Sequence, residues 1–234
     1  MTGGMTGGMT ELPGAVGITH LAVYPRSGTP HMHLCCAESY VVTSGFGHVQ
    51  TLTLRGYKQT PLKPGSVVWF APGTIHRLIN EGDLEIVVLM QNSGLPEAGD
   101  AVMTFPAEVV GDPVAYANAA SLPPSGLEGV FKRRQLAVAG FGVLREAAVA
   151  GDFGPLKQFH AAAVELVRPH IAEWRKRWAE GAMHVAEATG RQLDWIEGGE
   201  APHLSDADVN ELAEPTERGR RGMCGLLDTY VARA

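Results

Sequence analysis

The chain has little of two features that define whole classes of protein, cysteine and aromatic side chains. Its 234 residues include 3 Cys, and aromatic residues make up 7% of them. Cys35 and Cys36 are adjacent, and adjacent cysteines rarely bridge each other because disulfide geometry is specific. A small disulfide-stapled fold is therefore excluded, and we expect reduced thiols.

Basic charge is also scarce. The sequence holds 19 Lys and Arg against 25 Asp and Glu, which gives a formal net charge of −6. A protein that neutralises the phosphates of nucleic acid needs a basic surface, and this composition does not provide one. We therefore expect no nucleic-acid partner.

Long apolar runs and an obvious leader are absent from the sequence. No uninterrupted apolar run approaches the ~18 residues that a membrane span requires. The first basic residue is Arg26, and the opening Met1-Thr2-Gly3-Gly4 has neither the charged nor the apolar part of a signal peptide. The expectation is a cytoplasmic protein with no membrane partner.

The features that are present are typical of a folded, soluble protein. Hydrophobic residues make up 45% and charged residues 19% of a chain long enough for one large domain or two small ones. Charge is unevenly spread, because residues 1–120 hold five Lys and Arg and nine Asp and Glu, whereas residues 121–234 hold fourteen and sixteen. Two differently built parts are predicted.

The first part has the pattern of short strands separated by Gly and Pro. Such spacing is typical of a small antiparallel barrel or sandwich. Ser44-Gly45-Phe46-Gly47 lies between two strand-like runs, where glycine can adopt the positive φ of a tight turn, and it predicts a hairpin. The predicted runs are Ile18 to Tyr24, Tyr40 to Thr43, His48 to Leu54, Val67 to Phe70 and Leu84 to Met90.

The second part changes to helical spacing after a stretch rich in Gly, Pro and Ala. Apolar residues from Leu156 to Val167 recur on one helical face, Pro169 interrupts them, and Ile171 and Trp174 resume the pattern. The sequence thus predicts an α+β chain. Its parts are a flexible N-terminus at 1–11, an antiparallel β-barrel at 12–95, a connection at 96–125 and a mostly α-helical region at 126–234.

Four residues of the predicted barrel have the chemistry of metal ligands. His31 and His33 are two apart, so a strand directs both imidazoles to one face. Glu38 has the opposite parity and reaches that face only if a bend intervenes. His76 follows a turn after the strand that ends at Phe70, and that turn can return a third imidazole.

These residues occur in two motifs that resemble those of the cupin superfamily. The first is His31-Met32-His33, four residues, Glu38, six residues and Gly45. The second is Gly65, five residues, Ala71-Pro72-Gly73, two residues, His76, three residues and Asn80, with Ala71 where the family has proline. Together the resemblance covers residues 15 to 95.

The resemblance implies a double-stranded β-helix barrel in which His31, His33, Glu38 and His76 bind one divalent metal. Three neutral imidazoles and one carboxylate leave a net charge near +1 and, for an octahedral ion, two open positions. Such imidazole-rich sites suit Fe, Mn, Ni, Cu or Zn over Mg or Ca.

The expected function is that of a metal-dependent enzyme acting on a small polar molecule. Two reactions stay open, namely O2-dependent oxygenation and the isomerisation or epimerisation of a sugar-like substrate. The alternative is a non-catalytic module that binds a small molecule and signals through the helical region. The resemblance also implies a homodimer.

Several other polar residues receive structural interpretations. Cys35 shares the parity of His33 and is expected to be a small buried residue. Lys132-Arg133-Arg134 is expected on a solvated helix face. The remaining histidines that stand out are expected to have ordinary polar or surface positions, and they are His20, His48, His160, His170 and His184.

Overall fold

A computed structural model describes residues 11–209, 211 and 214–230. The proposed flexible N-terminus therefore lies outside the described residues, apart from Glu11. The strands are β1 (Glu11–Leu12), β2 (Val16–Val23), β3 (Arg26–Ser27), β4 (His31–His33), β5 (Glu38–Thr53), β6 (Gly56–Leu62), β7 (Val67–Phe70), β8 (Ile75–Met90), β9 (Ala101–Met103), β10 (Glu217–Arg221) and β11 (Gly225–Thr229). The α-helices are α1 (Ala107–Val110), α2 (Pro113–Ala120), α3 (Glu128–Val149), α4 (Gly154–Val167), α5 (Ile171–Trp178) and α6 (His184–Glu197).

The two longest strands, β5 and β8, organise the β-structure. They pair antiparallel from Glu38 opposite Met90 to Leu52 opposite Ile75. At one end β5 also pairs with β7 and at the other with β6, while β8 pairs with β2, β3 and β4. Alternate residues of β2 are buried, as expected for a sheet with one face on the core. The predicted antiparallel barrel with a helical C-terminal part is confirmed.

The predicted hairpin at Ser44–Gly47 is wrong. These residues lie inside the continuous strand β5, where the register against β8 shifts three times between Val42 and Gly47. Gly45 does have a positive φ of 70°, and a Cβ there would lie 2.1 Å from the Asp83 carbonyl oxygen. Glycine is thus required for a β-bulge that bends the strand, and a bulge has the same sequence signal as a tight turn.

The C-terminal part is helical as far as Glu197 but returns to the sheet at its end. Strand β11 pairs antiparallel with β2, from Gly225 opposite Val23 to Thr229 opposite Thr19, and β10 pairs with β11. The predicted helical region thus ends in a β-hairpin. The sequence gives little sign of it, because Glu217–Arg221 is a run of charged residues and glycine.

Helix α4 packs on α1 and α3 along the predicted apolar face, and α3 in turn contacts strand β6 of the barrel. Helix α4 buries Leu156, Phe159 and Ala163, and it ends where Pro169 enforces a 3-10 turn. In α5, Trp174 is buried, and its indole N–H donates to the Ala98 carbonyl oxygen at 3.0 Å. In the part of the chain that the structure describes, no helix is both long and apolar enough to cross a membrane.

Asn80 fixes the turn in the middle of β8. Its Nδ2 donates to the Val23 carbonyl oxygen at 2.8 Å, and its Oδ1 accepts from the backbone N–H groups of Gly82 and Leu84 at 3.1 Å each. One side chain therefore joins β2 to both sides of the bend at Gly82 and Asp83.

We expect Asn80→Ala to lower the free energy of unfolding by about 2–3 kcal/mol, since three hydrogen bonds are lost and their backbone partners are left partly buried. Urea denaturation measures this change. Asn80→Leu removes the same bonds at similar volume and should be equally destabilised; full stability in both variants would contradict the role given to the amide.

Candidate metal centre

Three strands bring the four predicted ligands together. His31 and His33 lie on β4, which pairs antiparallel with β8 so that His31 lies opposite His76. Between His33 and Glu38 the chain bends out of the strand, and Glu38 opens β5. This is the bend that the parity of Glu38 requires. All four residues are buried, and one ligand atom from each lies within 4.8 Å of the others.

The hydrogen bonds of two imidazoles define which nitrogens face the centre. His31 Nδ1 lies 2.9 Å from the Thr29 carbonyl oxygen, and His76 Nδ1 lies 3.1 Å from the Thr74 carbonyl oxygen. A carbonyl oxygen only accepts, so both Nδ1 atoms carry the proton and donate. In the neutral rings the lone pairs are then on the two Nε2 atoms, which face each other at 3.2 Å.

Glu38 adds negative charge to the same point. Its Oε2 lies 2.9 Å from His76 Nε2 and 3.4 Å from His33 Nε2. Neither this oxygen nor His33 Nε2 has an aligned hydrogen-bond partner among the described residues. Lone pairs and a carboxylate that converge in a buried site repel one another unless a proton or a metal cation lies between them. The group is therefore one that could hold a metal ion.

The pKa shifts of the buried groups also indicate that the site needs positive charge. Burial lowers the pKa of His31 well below its usual value, and His76 and His33 lower it further. Burial also acts to lower the pKa of His33, but Asp100 and Glu38 outweigh burial and raise it to about 9. For Glu38, burial acts to raise the pKa, but His76 and His33 hold it well below its usual range. The carboxylate is thus ionised and must be compensated.

Asp100 is a functional neighbour that sequence reasoning missed. Its Oδ2 lies 3.3 Å from His33 Nδ1, and its Oδ1 accepts from the backbone N–H groups of Leu34 and Cys35 at 3.0 and 2.8 Å. A carboxylate behind a ligating histidine orients the ring and increases its basicity. Asp100 lies 67 residues after His33 in a Gly- and Pro-rich stretch, so no spacing rule connects the two.

Aromatic rings close the other side of the site. The Phe70 ring stacks on His76 with 4.8 Å between ring centroids, and Tyr40 lies edge-on to both at 5.1 and 6.2 Å. Tyr40 is fully buried, whereas Trp69 is 73% exposed. These rings restrict the orientation of His76 and keep water from its face.

The prediction that Cys35 is buried is wrong. Cys35 is exposed, and Cys36 and Cys224 are buried. The thiol beside the candidate ligands is that of Cys224, whose Sγ lies 4.0 Å from His31 Nδ1. Burial raises the pKa of the Cys224 thiol, so the sulfur is a neutral neighbour at ordinary pH.

The other histidines lie away from the centre, as expected. His20 lies 3.7 Å from Glu85 and His48 lies 3.3 Å from Glu81, both on partly exposed surface. Among the residues that the structure describes, the only group of three or more potential metal ligands is the one formed by His31, His33, Glu38 and His76.

A cavity of about 120 Å³ opens beside three of the four residues, His31, His33 and Glu38. Strands β2 and β8 form one side of it, the turn at Pro96 and Glu97 another, and the C-terminal hairpin a third. It is lined by Gly17, Thr19, Leu21, His31, His33, Glu38, Val88, Met90, Pro96, Glu97, Met223, Cys224 and Leu227. A small molecule can therefore approach the candidate ligands from this side.

No family model and no curated protein matches the chain. Among solved structures, vicilin from Solanum lycopersicum is 25% identical over 32% of this chain and 22% of that one, with a TM-score of 0.30. The capsular polysaccharide assembling protein CapF from Staphylococcus aureus is 23% identical over 35% and 25%, with a TM-score of 0.28. KdgF from Halomonas sp. is 20% identical over 35% and 72%, with a TM-score of 0.30.

These neighbours are cupin-type proteins. The matched part of the chain spans about a quarter or less of the vicilin and CapF structures.

If Asp100 orients His33 toward a metal, Asp100→Asn should weaken metal binding by about 10- to 100-fold, the usual effect of losing such a partner. Competition with a chromophoric chelator measures the affinity. Asp194→Asn makes the same change on the exposed helix α6 and should leave the affinity unaltered. Equal affinities for the two variants would contradict the role of Asp100.

Proposed function

We propose that the chain is a metal-dependent enzyme in which His31, His33, Glu38 and His76 hold one divalent transition metal, Fe, Mn, Ni, Cu or Zn. The observation that supports this most is the convergence of imidazole lone pairs and a carboxylate on one buried point, next to a cavity large enough for a small molecule. A redox-active metal there would activate O2, and a redox-inert one would polarise a carbonyl or hydroxyl oxygen.

Of the two reactions expected from the sequence, the cavity favours oxygenation. A sugar-like substrate needs a hydrogen-bond partner for most of its hydroxyl groups, because unpaired buried hydroxyls are costly. Apart from His31, His33 and Glu38, the polar side chains among the described residues of the cavity wall are Thr19, Glu97 and the Cys224 thiol. Oxygenation needs no such set, since O2 is small and apolar and the organic substrate that it oxidises can be largely apolar.

The protein groups have defined tasks in this proposal. The backbone oxygens of Thr29 and Thr74 hold two imidazoles with Nε2 toward the centre. Asp100 does the same for His33, and Phe70 and Tyr40 exclude water behind His76. These contacts prepare four ligands in advance, and the cavity leaves the opposite side free for substrate.

We expect protein purified without a metal-affinity column to carry about one transition-metal ion per chain, and His33→Ala to lose most of it because one of four ligands is gone. Mass spectrometry of the metals measures the content. His184→Ala, a histidine on the exposed side of α6, is the matched control and should keep the metal. Metal-free wild type that takes up no added metal would contradict the proposal.

Nitric oxide tests the open iron position that oxygenation requires and that the alternative, a module that binds without catalysis, does not require. It replaces O2 at an open position of Fe²⁺ and gives a characteristic electron paramagnetic resonance signal. The Fe²⁺-loaded protein should show this signal under anaerobic conditions. An iron site that binds no nitric oxide would instead support the binding module.

The expected homodimer is proposed through the helical run from Ile171 to Glu197. Its apolar side packs on the barrel through Trp174 and then continues as the exposed residues Trp178, Leu193 and Ile196. Arg175 in the first half has no ion-pair partner among the described residues, nor have Glu187, Asp194 and Glu197 in the second half. Antiparallel pairing of two copies would bring each basic end to the acidic end of the other.

Leu193→Glu places a charge in the proposed dimer face and should convert the dimer to a monomer, as measured by light scattering after size-exclusion chromatography. Val114→Glu introduces the same charge at an exposed valine on α2, outside the proposed face, and should leave the dimer intact. A monomeric wild type, or a dimer that survives Leu193→Glu, would contradict this interface.

A further inference from the structure

One wall of the cavity comes from the C-terminal hairpin, which lies far in sequence from the two metal motifs. The turn between β10 and β11 presents Met223 and Cys224, and β11 adds Leu227. Tyr24 N–H donates to the Cys224 carbonyl oxygen and Thr29 N–H to the Met223 carbonyl oxygen, both at 3.0 Å. The turn is thus bonded to the chain on either side of β3.

Close packing leaves this turn little freedom. A Cβ at Gly28 would lie 2.8 Å from Cys224 Sγ, and a Cβ at Gly225 would lie 2.0 Å from the Ala22 carbonyl oxygen. The sulfur of Cys224 in turn lies 3.9 Å from the Thr29 carbonyl oxygen, next to His31. The position of the wall relative to the four ligands is therefore fixed by contacts on both of its faces.

The helical region holds the same turn from behind through arginine. Arg133 of α3 is buried, contrary to the expectation of a solvated face, and donates to the carbonyl oxygens of Gly222 at 3.1 Å and Ala120 at 3.2 Å. Arg221 donates to the carbonyl oxygens of Pro123, Pro124 and Gly126 at 2.7–2.8 Å. Helix α3 and its preceding loop thus support the hairpin.

The composition of the cavity defines what fits inside it. Leu21, Val88, Met90, Met223 and Leu227 make most of its wall apolar. Its volume of about 120 Å³ is slightly below the ~150 Å³ of an engineered cavity that binds benzene. Among the described residues of the wall there is no Lys or Arg, so a phosphate or a second carboxylate would find no counter-charge there.

We infer that the C-terminal hairpin is the specificity wall of the metal cavity, and that the cavity takes a small uncharged molecule with an apolar body and one metal-chelating pair of oxygens. This inference rests on the proposed metal centre. Leu227 and Met223 are the specificity-determining residues, and Arg133 is a positioning residue that acts through the turn at Gly222.

Two chelating probes of equal size test the substrate class. Propionohydroxamate and glycolohydroxamate share the metal-binding head and differ by a methyl in place of a hydroxyl. Calorimetry on the Zn²⁺-loaded protein should give at least about tenfold tighter binding of propionohydroxamate, since most of the wall is apolar and burying a hydroxyl against it is costly. Equal or tighter binding of glycolohydroxamate would overturn the inference and leave the metal centre standing.

A filled cavity tests the wall itself. Leu227→Trp should keep the metal content and weaken propionohydroxamate at least about tenfold, because the larger ring occupies the space beside the metal. Leu204→Trp makes the same change at an exposed site and should bind like the wild type. Unchanged binding in Leu227→Trp would contradict the role of the hairpin as the specificity wall. A wild type that holds no metal would instead contradict the proposed function itself.

Arg133 has its own readout. Arg133→Met should reduce the preference for propionohydroxamate over glycolohydroxamate while the metal content is retained, because the turn loses the hydrogen bond to the Gly222 carbonyl oxygen and its tie through Arg133 to Ala120. Arg133→Lys keeps one donor and should restore part of the preference. An unchanged preference in Arg133→Met would contradict the role of Arg133 in positioning the turn at Gly222.

Discussion

The structure depends on one electrostatic constraint, the concentration of electron pairs at a point inside the barrel. Two imidazole Nε2 atoms 3.2 Å apart and a carboxylate oxygen 2.9 Å from one of them repel one another in a buried site unless a proton or a metal cation lies between them. Most neighbouring features serve that point. Backbone carbonyl oxygens fix the ring protons on the outer nitrogens, and Asp100 supports the third ring.

The barrel holds these groups at fixed distances. The four candidate ligands come from β4, β5 and β8, and the register between strands determines their spacing. The bulge at Gly45 and the bend held by Asn80 allow two long strands to curve together without separating. Rigid strands are better supports for a metal site than loops, because their side chains change position little.

Sequence reasoning predicted the barrel and the four candidate ligands because both depend on local patterns. The i, i+2 spacing of His31 and His33 survives in β4, and the bend that Glu38 requires is present at 34–37. The same reasoning mistook the Gly45 bulge for a hairpin, since a positive φ at glycine serves either structure. A local sequence pattern does not show which strand pairs with the segment around Gly45.

What the sequence did not predict comes from contacts between distant segments. Asp100 reaches His33 from a connecting stretch without periodicity, and Cys224 reaches His31 across 193 residues. Strand β10 at 217–221 is too polar to stand out, and the burial of Arg133 depends on its contacts with the distant Gly222 and with Ala120. The candidate ligands could be predicted because their spacing in the sequence is local, whereas the residues around them are brought there by tertiary packing.

The central claim is that one metal ion is bound by His31, His33, Glu38 and His76. Anomalous diffraction from crystals of the metal-loaded protein, measured on both sides of the metal's absorption edge, tests it most directly. The account predicts one strong peak about 2.0–2.2 Å from the three Nε2 atoms and from an oxygen of Glu38. No peak at this point, with the four side chains hydrogen-bonded to one another instead, would contradict it.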